Sequence, residues 1–280
     1  MGVRLASALN LLKLWLFLAL ACALPALIGA VLGGWRGGAV FAFGALLAAT
    51  AVYIYCDRVV LGMLRARELV QSEQPALRSL SERLAARMRV AKPRLYLLPD
   101  DFPRALVAGR GPSSSSLAVS QGFLSSASAA EIEGVVAHEL AHVANRDVAV
   151  QSVAVIAATT LVELARLGGY AQRVFLFFLA PIAAAIEHAL LSPRREIAAD
   201  KIAAAACGSP HGLADALARM EQASELVSFA ASPTSEPLYA LNPFALDGIA
   251  RMFDTHPPFA DRIRRLRKLD PQWREKLRAA

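Results

Sequence analysis

Ala137-His138-Glu139-Leu140-Ala141-His142 places two histidines four residues apart. On a helix that spacing projects both imidazoles from one face, one turn above the other, where they can bind a single metal ion. Glu139, next to the first histidine, can then meet a water held by that ion, the arrangement that zinc hydrolases use. The surroundings read as helix. Ser128 and Glu131 have capping-box spacing, and Val135, Val136, Leu140 and Val143 supply an apolar side.

The rest of the composition points to a membrane. Of 280 residues, 56% are hydrophobic and only 19% charged, with a mean hydropathy of +0.42, too apolar for an average soluble domain. The net charge of +7 does not come as basic runs interleaved with aromatics. Several arginines instead flank apolar spans, so no nucleic-acid partner is expected and the charge reads as membrane topology. Three cysteines, Cys22, Cys56 and Cys207, are too few and too scattered for a disulfide framework or a cysteine-based zinc site.

Leu14 to Leu32 is uncharged and about as long as a bilayer core requires. A signal peptide is the rival, but Ile28-Gly29-Ala30 is a loose cleavage match and a second apolar run follows, so a retained helix is expected. Gly33 to Gly38 reads as a short turn, and Ala39 to Cys56 as a second span. Arg4, Lys13, Arg58, Arg65 and Arg67 lie on one side of this hairpin and Arg36 on the other. The positive-inside rule therefore puts the N-terminus and everything after Asp57 in the cytoplasm.

Beyond the hairpin, Leu77, Leu80, Leu84 and Met88 form the stripe of an amphipathic helix. Arg94–Leu98, Ala105–Ala108 and Leu117–Ser120 are short strand candidates, the last two joined across Gly109–Ser116, whose serines suggest a flexible loop. Val148–Val162 and Val174–Leu191, turning at Gly168-Gly169, suggest a second membrane hairpin. Buried helices of the catalytic domain, or helices lying shallowly in the bilayer, fit the same residues. Ser209-Pro210 opens a helix with Leu213, Leu217 and Met220 inward, and His211 there has a solvent or capping role. Ala231–Asp247 reads as a loop, and a last basic helix should pack through Ile263, Leu266 and Leu269.

Glu196 and Asp200 are also four apart on an expected helix and share a face. Two imidazoles and one carboxylate leave a zinc position for water, the catalytic pattern. Asp200 would accept a hydrogen bond from the non-ligating nitrogen of a ligand histidine. With Arg194, Arg195 and Lys201 nearby, a solvated helical charge pattern is the alternative.

HELAHVANRD, a long apolar interval, S-x-x-REIAAD and a final THPP together resemble the M48 family of zinc metallopeptidases, in particular its HtpX type. The resemblance implies a gluzincin-like protease domain, mainly α with a small β-sheet, over residues 63–280 and fused to a transmembrane hairpin over 1–62; the apolar runs themselves suggest the second hairpin that interrupts it at 148–191. It implies one Zn2+ per chain on His138, His142 and Glu196, with Glu139 as general base and His256 near the substrate carbonyl or the metal. His256 before two prolines also reads as a plain turn residue.

The activity implied is endopeptidase cleavage of misfolded or unassembled membrane proteins, at the bacterial inner membrane with the active site facing the cytoplasm. A peptide would add as a strand beside Leu117, Ala118 and Val119. A dedicated maturation protease of the CAAX-processing type and a catalytically silent membrane scaffold are the rivals. Two departures stand out. Arg104 occupies the place of the family's substrate-holding asparagine, and Pro193 that of an arginine.

Overall fold

The computed structural model describes residues 2–166, 172–226 and 257–270. Helix α1, Gly2–Met63, leaves helical geometry at Gly33 (φ −142°, ψ 25°) and Gly34 (φ 59°, ψ −154°). It folds back there. A Cβ on Gly29 would run into the carbonyl oxygen of Gly37, and the reverse also holds; residues eight apart in a straight helix lie about 12 Å apart along its axis. Trp15 likewise meets Tyr53, with ring centroids 6.1 Å apart. The expected turn is therefore shorter than read: Gly37 and Gly38 belong to the second arm, where their lack of a side chain lets the arms touch. Leucines along both arms are exposed, Leu20 by 70% and Leu32 by 75%, as a lipid-facing surface requires.

Strand β1 (Arg67–Glu68) precedes helix α2 (Pro75–Met88), and β2 (Arg94–Leu98), β3 (Ala105–Gly111) and β4 (Ser114–Ser120) follow. The sheet order is β1-β2-β4-β3, with β2 and β4 parallel and the other pairs antiparallel. The serine run is not a loop. Ser114, Ser115 and Ser116 pair with Gly111, Gly109 and Ala108, leaving Pro112-Ser113 as a tight hairpin turn.

Both faces of the sheet are covered, so its strands are apolar on both sides. Alternation sends Ala105, Val107, Leu117 and Val119 into the main core with α2 and α4. Leu106, Ala108 and Ala118 point to the opposite face, against Cys56, Val60 and Leu61 of α1. At that junction Asp57 accepts from Arg94 and from Ser116 Oγ, the latter at 3.5 Å.

After α3 (Gln121–Ser126) come α4 (Ala129–Ala144), α5 (Val148–Arg166), α6 (Gln172–Leu190), α7 (Pro193–Cys207), α8 (His211–Leu226) and α9 (Phe259–Lys268). The capping box of α4 forms as its sequence predicts. Glu131 N–H donates to Ser128 Oγ at 3.3 Å, and Ser128 N–H donates to Glu131 Oε2 at 2.6 Å. Helices α5 and α6 pack on each other, and α5 also touches α1 and β3. The expected turn at Gly168-Gly169 and the loop at Ala231–Asp247 lie outside the described residues. Leu213, Leu217 and Met220 are buried as expected, and so is Leu266, but Leu269 is 48% exposed. Arg262, four residues before Leu266, holds the buried position on α9 instead.

Candidate metal centre

Helix α4 presents His138 and His142 with their rings edge to face, centroids 4.8 Å apart. Both are buried. Their Nε2 atoms approach to 3.2 Å. Helix α7 brings Glu196 to the same point, with Oε2 3.4 Å from His138 Nε2 and Oε1 3.5 Å from His142 Nε2. One ligand atom from each of the three residues lies within 4.8 Å of the others.

Local sequence explains how α7 delivers this. Ser192 caps the helix, its Oγ accepting from Arg194 N–H, and Pro193 takes a first-turn position where it removes no needed donor. The departure at residue 193 thus leaves the helix start intact. Glu196 falls in the first turn, where the helix dipole favours a carboxylate. One turn later Asp200 Oδ1 accepts from His138 Nδ1 at 3.0 Å. The two carboxylates therefore bracket the two nitrogens of one imidazole.

Two further residues complete the surround. Arg262 is fully buried; its Nε donates to Asp200 Oδ2 at 3.0 Å and its NH2 to Asp200 Oδ1 at 2.7 Å. Its NH1 lies 3.7 Å from Glu196 Oε2. Asp147 Oδ2 accepts from His142 Nδ1 at 3.3 Å. Sequence reasoning passed over both. Arg262 shares the buried face of α9 with Leu266, and Asp147 stands inside HELAHVANRD, so spacing held the only signal. Arg195 Nε lies 3.3 Å from Glu196 Oε1, and Glu139 is 2% exposed.

The electrostatics favour positive charge where the rings converge. Burial pulls the His142 imidazole down, but Glu196 and Asp147 outweigh it and raise it to about 10. His138 is raised in the same way against burial, by Asp200 and Glu196. Burial would lift Asp200, yet Arg262 and His138 hold it down at about 2. Burial works against the Arg262 guanidinium, and Asp200, Glu196 and Glu139 keep it charged.

These residues fit a divalent metal ion. With each Nδ1 turned to a carboxylate, the Nε2 atoms of the neutral imidazoles face each other and Glu196, so one divalent ion could take a lone pair from each. Glu139, Asp147, Glu196 and Asp200, set against Arg195 and Arg262, leave an excess of two negative charges for that cation to balance.

The other expected site residues fare differently. Leu117, Ala118 and Val119 have no exposure and sit on β4, whose backbone pairs with β2 on one side and β3 on the other. Strand addition beside them is ruled out, because both edges of β4 are taken. The edge strands of the sheet are β1 and β3. Arg104, just before it, is held by Asp100, and its backbone exchanges bonds with Ser120: Arg104 N–H to Ser120 Oγ at 3.0 Å and Ser120 N–H to Arg104 O at 2.9 Å. His256 lies outside the described residues. His211 meets Asp270 at 3.2 Å, away from the centre.

A profile of Peptidase family M48 matches residues 71–270. A "Protease HtpX homolog" of Pelotomaculum thermopropionicum is 35% identical over 276 residues, covering 92% of this chain and 98% of its own. One from Salinibacter ruber is 36% identical over 272 residues, covering 93% and 98%. Among solved structures, S. mikatae Ste24p is similar with a TM-score of 0.47 and 17% identity, over 94% of this chain and 63% of that one. With the profile spanning most of the chain and full-length relatives above 30% identity, this chain belongs to peptidase family M48.

Proposed function

We propose that this protein is a membrane-bound zinc endopeptidase acting on misfolded or unassembled membrane proteins, with its active site on the cytoplasmic side of a bacterial inner membrane. The observation that carries the reading is the convergence of two imidazole Nε2 atoms 3.2 Å apart with the Glu196 carboxylate. A bound zinc ion would polarise the scissile carbonyl and acidify the attacking water. His138, His142 and Glu196 would hold it, with Asp200 fixing the ring of His138. Glu139 takes the water's proton and returns it to the leaving amine.

The hairpin arms and the α5–α6 pair, both apolar, support residence in the bilayer, with the basic residues of the N-terminus and of Arg58 to Arg67 on the cytoplasmic side.

Casein cleavage by detergent-purified protein, with and without chelator, tests the activity. Glu139→Gln should retain the metal and lose at least about a hundredfold in kcat. Undiminished cleavage by that variant rejects Glu139 as the base.

A further inference from the structure

We infer that Asp147 is a positioning residue for the metal, holding the ring of His142 as Asp200 holds that of His138. The inference rests on the metal-site reading above. The chain after α4 is built to deliver it. Arg146 takes a left-handed conformation, φ 63°, and two hydrogen bonds close a Schellman turn: Arg146 N–H to Val143 O at 3.1 Å and Asp147 N–H to His142 O at 3.0 Å. That 6→1 bond clips the main chain of Asp147 to the residue whose ring its side chain reaches, at 3.3 Å from Nδ1. Both side chains are almost wholly buried, so the carboxylate meets little competition from water. Glycine normally occupies the left-handed position of such a turn; an arginine held there marks a geometry that the surrounding contacts enforce.

The competing role is local. Asp147 directly precedes α5, and its carbonyl accepts from Gln151 N–H at 3.0 Å, so it stands where a helix N-cap stands. Serine caps as well as aspartate but is too short to reach the imidazole; asparagine both caps and offers the ring an acceptor oxygen. The two roles therefore separate by substitution. A carboxylate or amide behind a metal-bound imidazole fixes its tautomer and tilt, and losing such a partner typically weakens metal binding 10–100-fold.

The experiment is zinc titration of the protein in detergent against a chromophoric chelator, with the metal-free melting curve of each variant showing that it folds. Asp147→Ser should raise the zinc Kd about 10–100-fold, and Asp147→Asn should stay within about fivefold of the parent. A serine variant that binds zinc like the parent overturns the inference, since Asp147 is then only a cap. So does an asparagine variant as weak as the serine one. A parent protein that takes up no zinc would sink the metal-site reading itself.

Discussion

Arg262 is the side chain on which the centre's charge balance turns. It is fully buried and grips Asp200 with two nitrogens. Removing one partner of such a pair leaves the other charged and dry, which costs about 3–5 kcal/mol. Arg262→Ala should therefore destabilise the protein by roughly that amount and weaken metal binding through a displaced Asp200; denaturant titration and zinc competition would measure the two losses. Nothing in the composition of α9 announces this. Four of its ten residues besides Arg262 are charged to the same sign, and an arginine in such company reads as solvated. Its burial becomes visible only with Asp200 in place, 62 residues earlier. Glu196 was legible sooner, because the four-residue step to Asp200 copies the step between the histidines.

Among the elements, α4 shows how far local sequence reaches. Its capping box joins Ser128 and Glu131, and Arg219 Nε adds a bond to Glu131 Oε1 at 2.9 Å. Burial would raise the Glu131 carboxyl, but Arg219 and the Ser128 bonds outweigh it and leave the value below 4.5. A carboxyl lowered on folding stabilises the protein above its ordinary value and loses that contribution as pH falls through the folded one. Stability should thus decline below about pH 4.5, and Glu131→Gln should flatten this part of the curve while costing about 1 kcal/mol at neutral pH. Thermal melts across pH 3–7 (a range set by ordinary carboxylate values) would show it.

The strands themselves were readable as apolar runs. Their lateral order was not, since the period of a strand says which face a side chain takes and nothing about its neighbours.

At the scale of the whole molecule, the metal centre ties together segments that the sequence keeps apart: His138 to Asp147, Arg195 to Asp200, and Arg262. A ligand that binds only the folded state stabilises it by mass action, about 2.7 kcal/mol at a hundred times its Kd. Chelation should therefore lower the melting temperature by several degrees, and zinc should restore it; a melt indifferent to chelator would mean that the three segments hold together without the ion.

The sequence by itself determined the helical hairpin, the capped helix with its paired histidines, the paired carboxylates of α7 and, through these, the family. All are periodic or short-range patterns, in which backbone geometry fixes side-chain direction within a turn or two. Only the tertiary structure decided that β4 lies inside the sheet with β3 at one edge, that Arg262 rather than Leu269 faces inward, and that Asp147 turns back onto His142. Those outcomes depend on which surfaces meet, and the charge or burial of a side chain is settled by partners that no local pattern names.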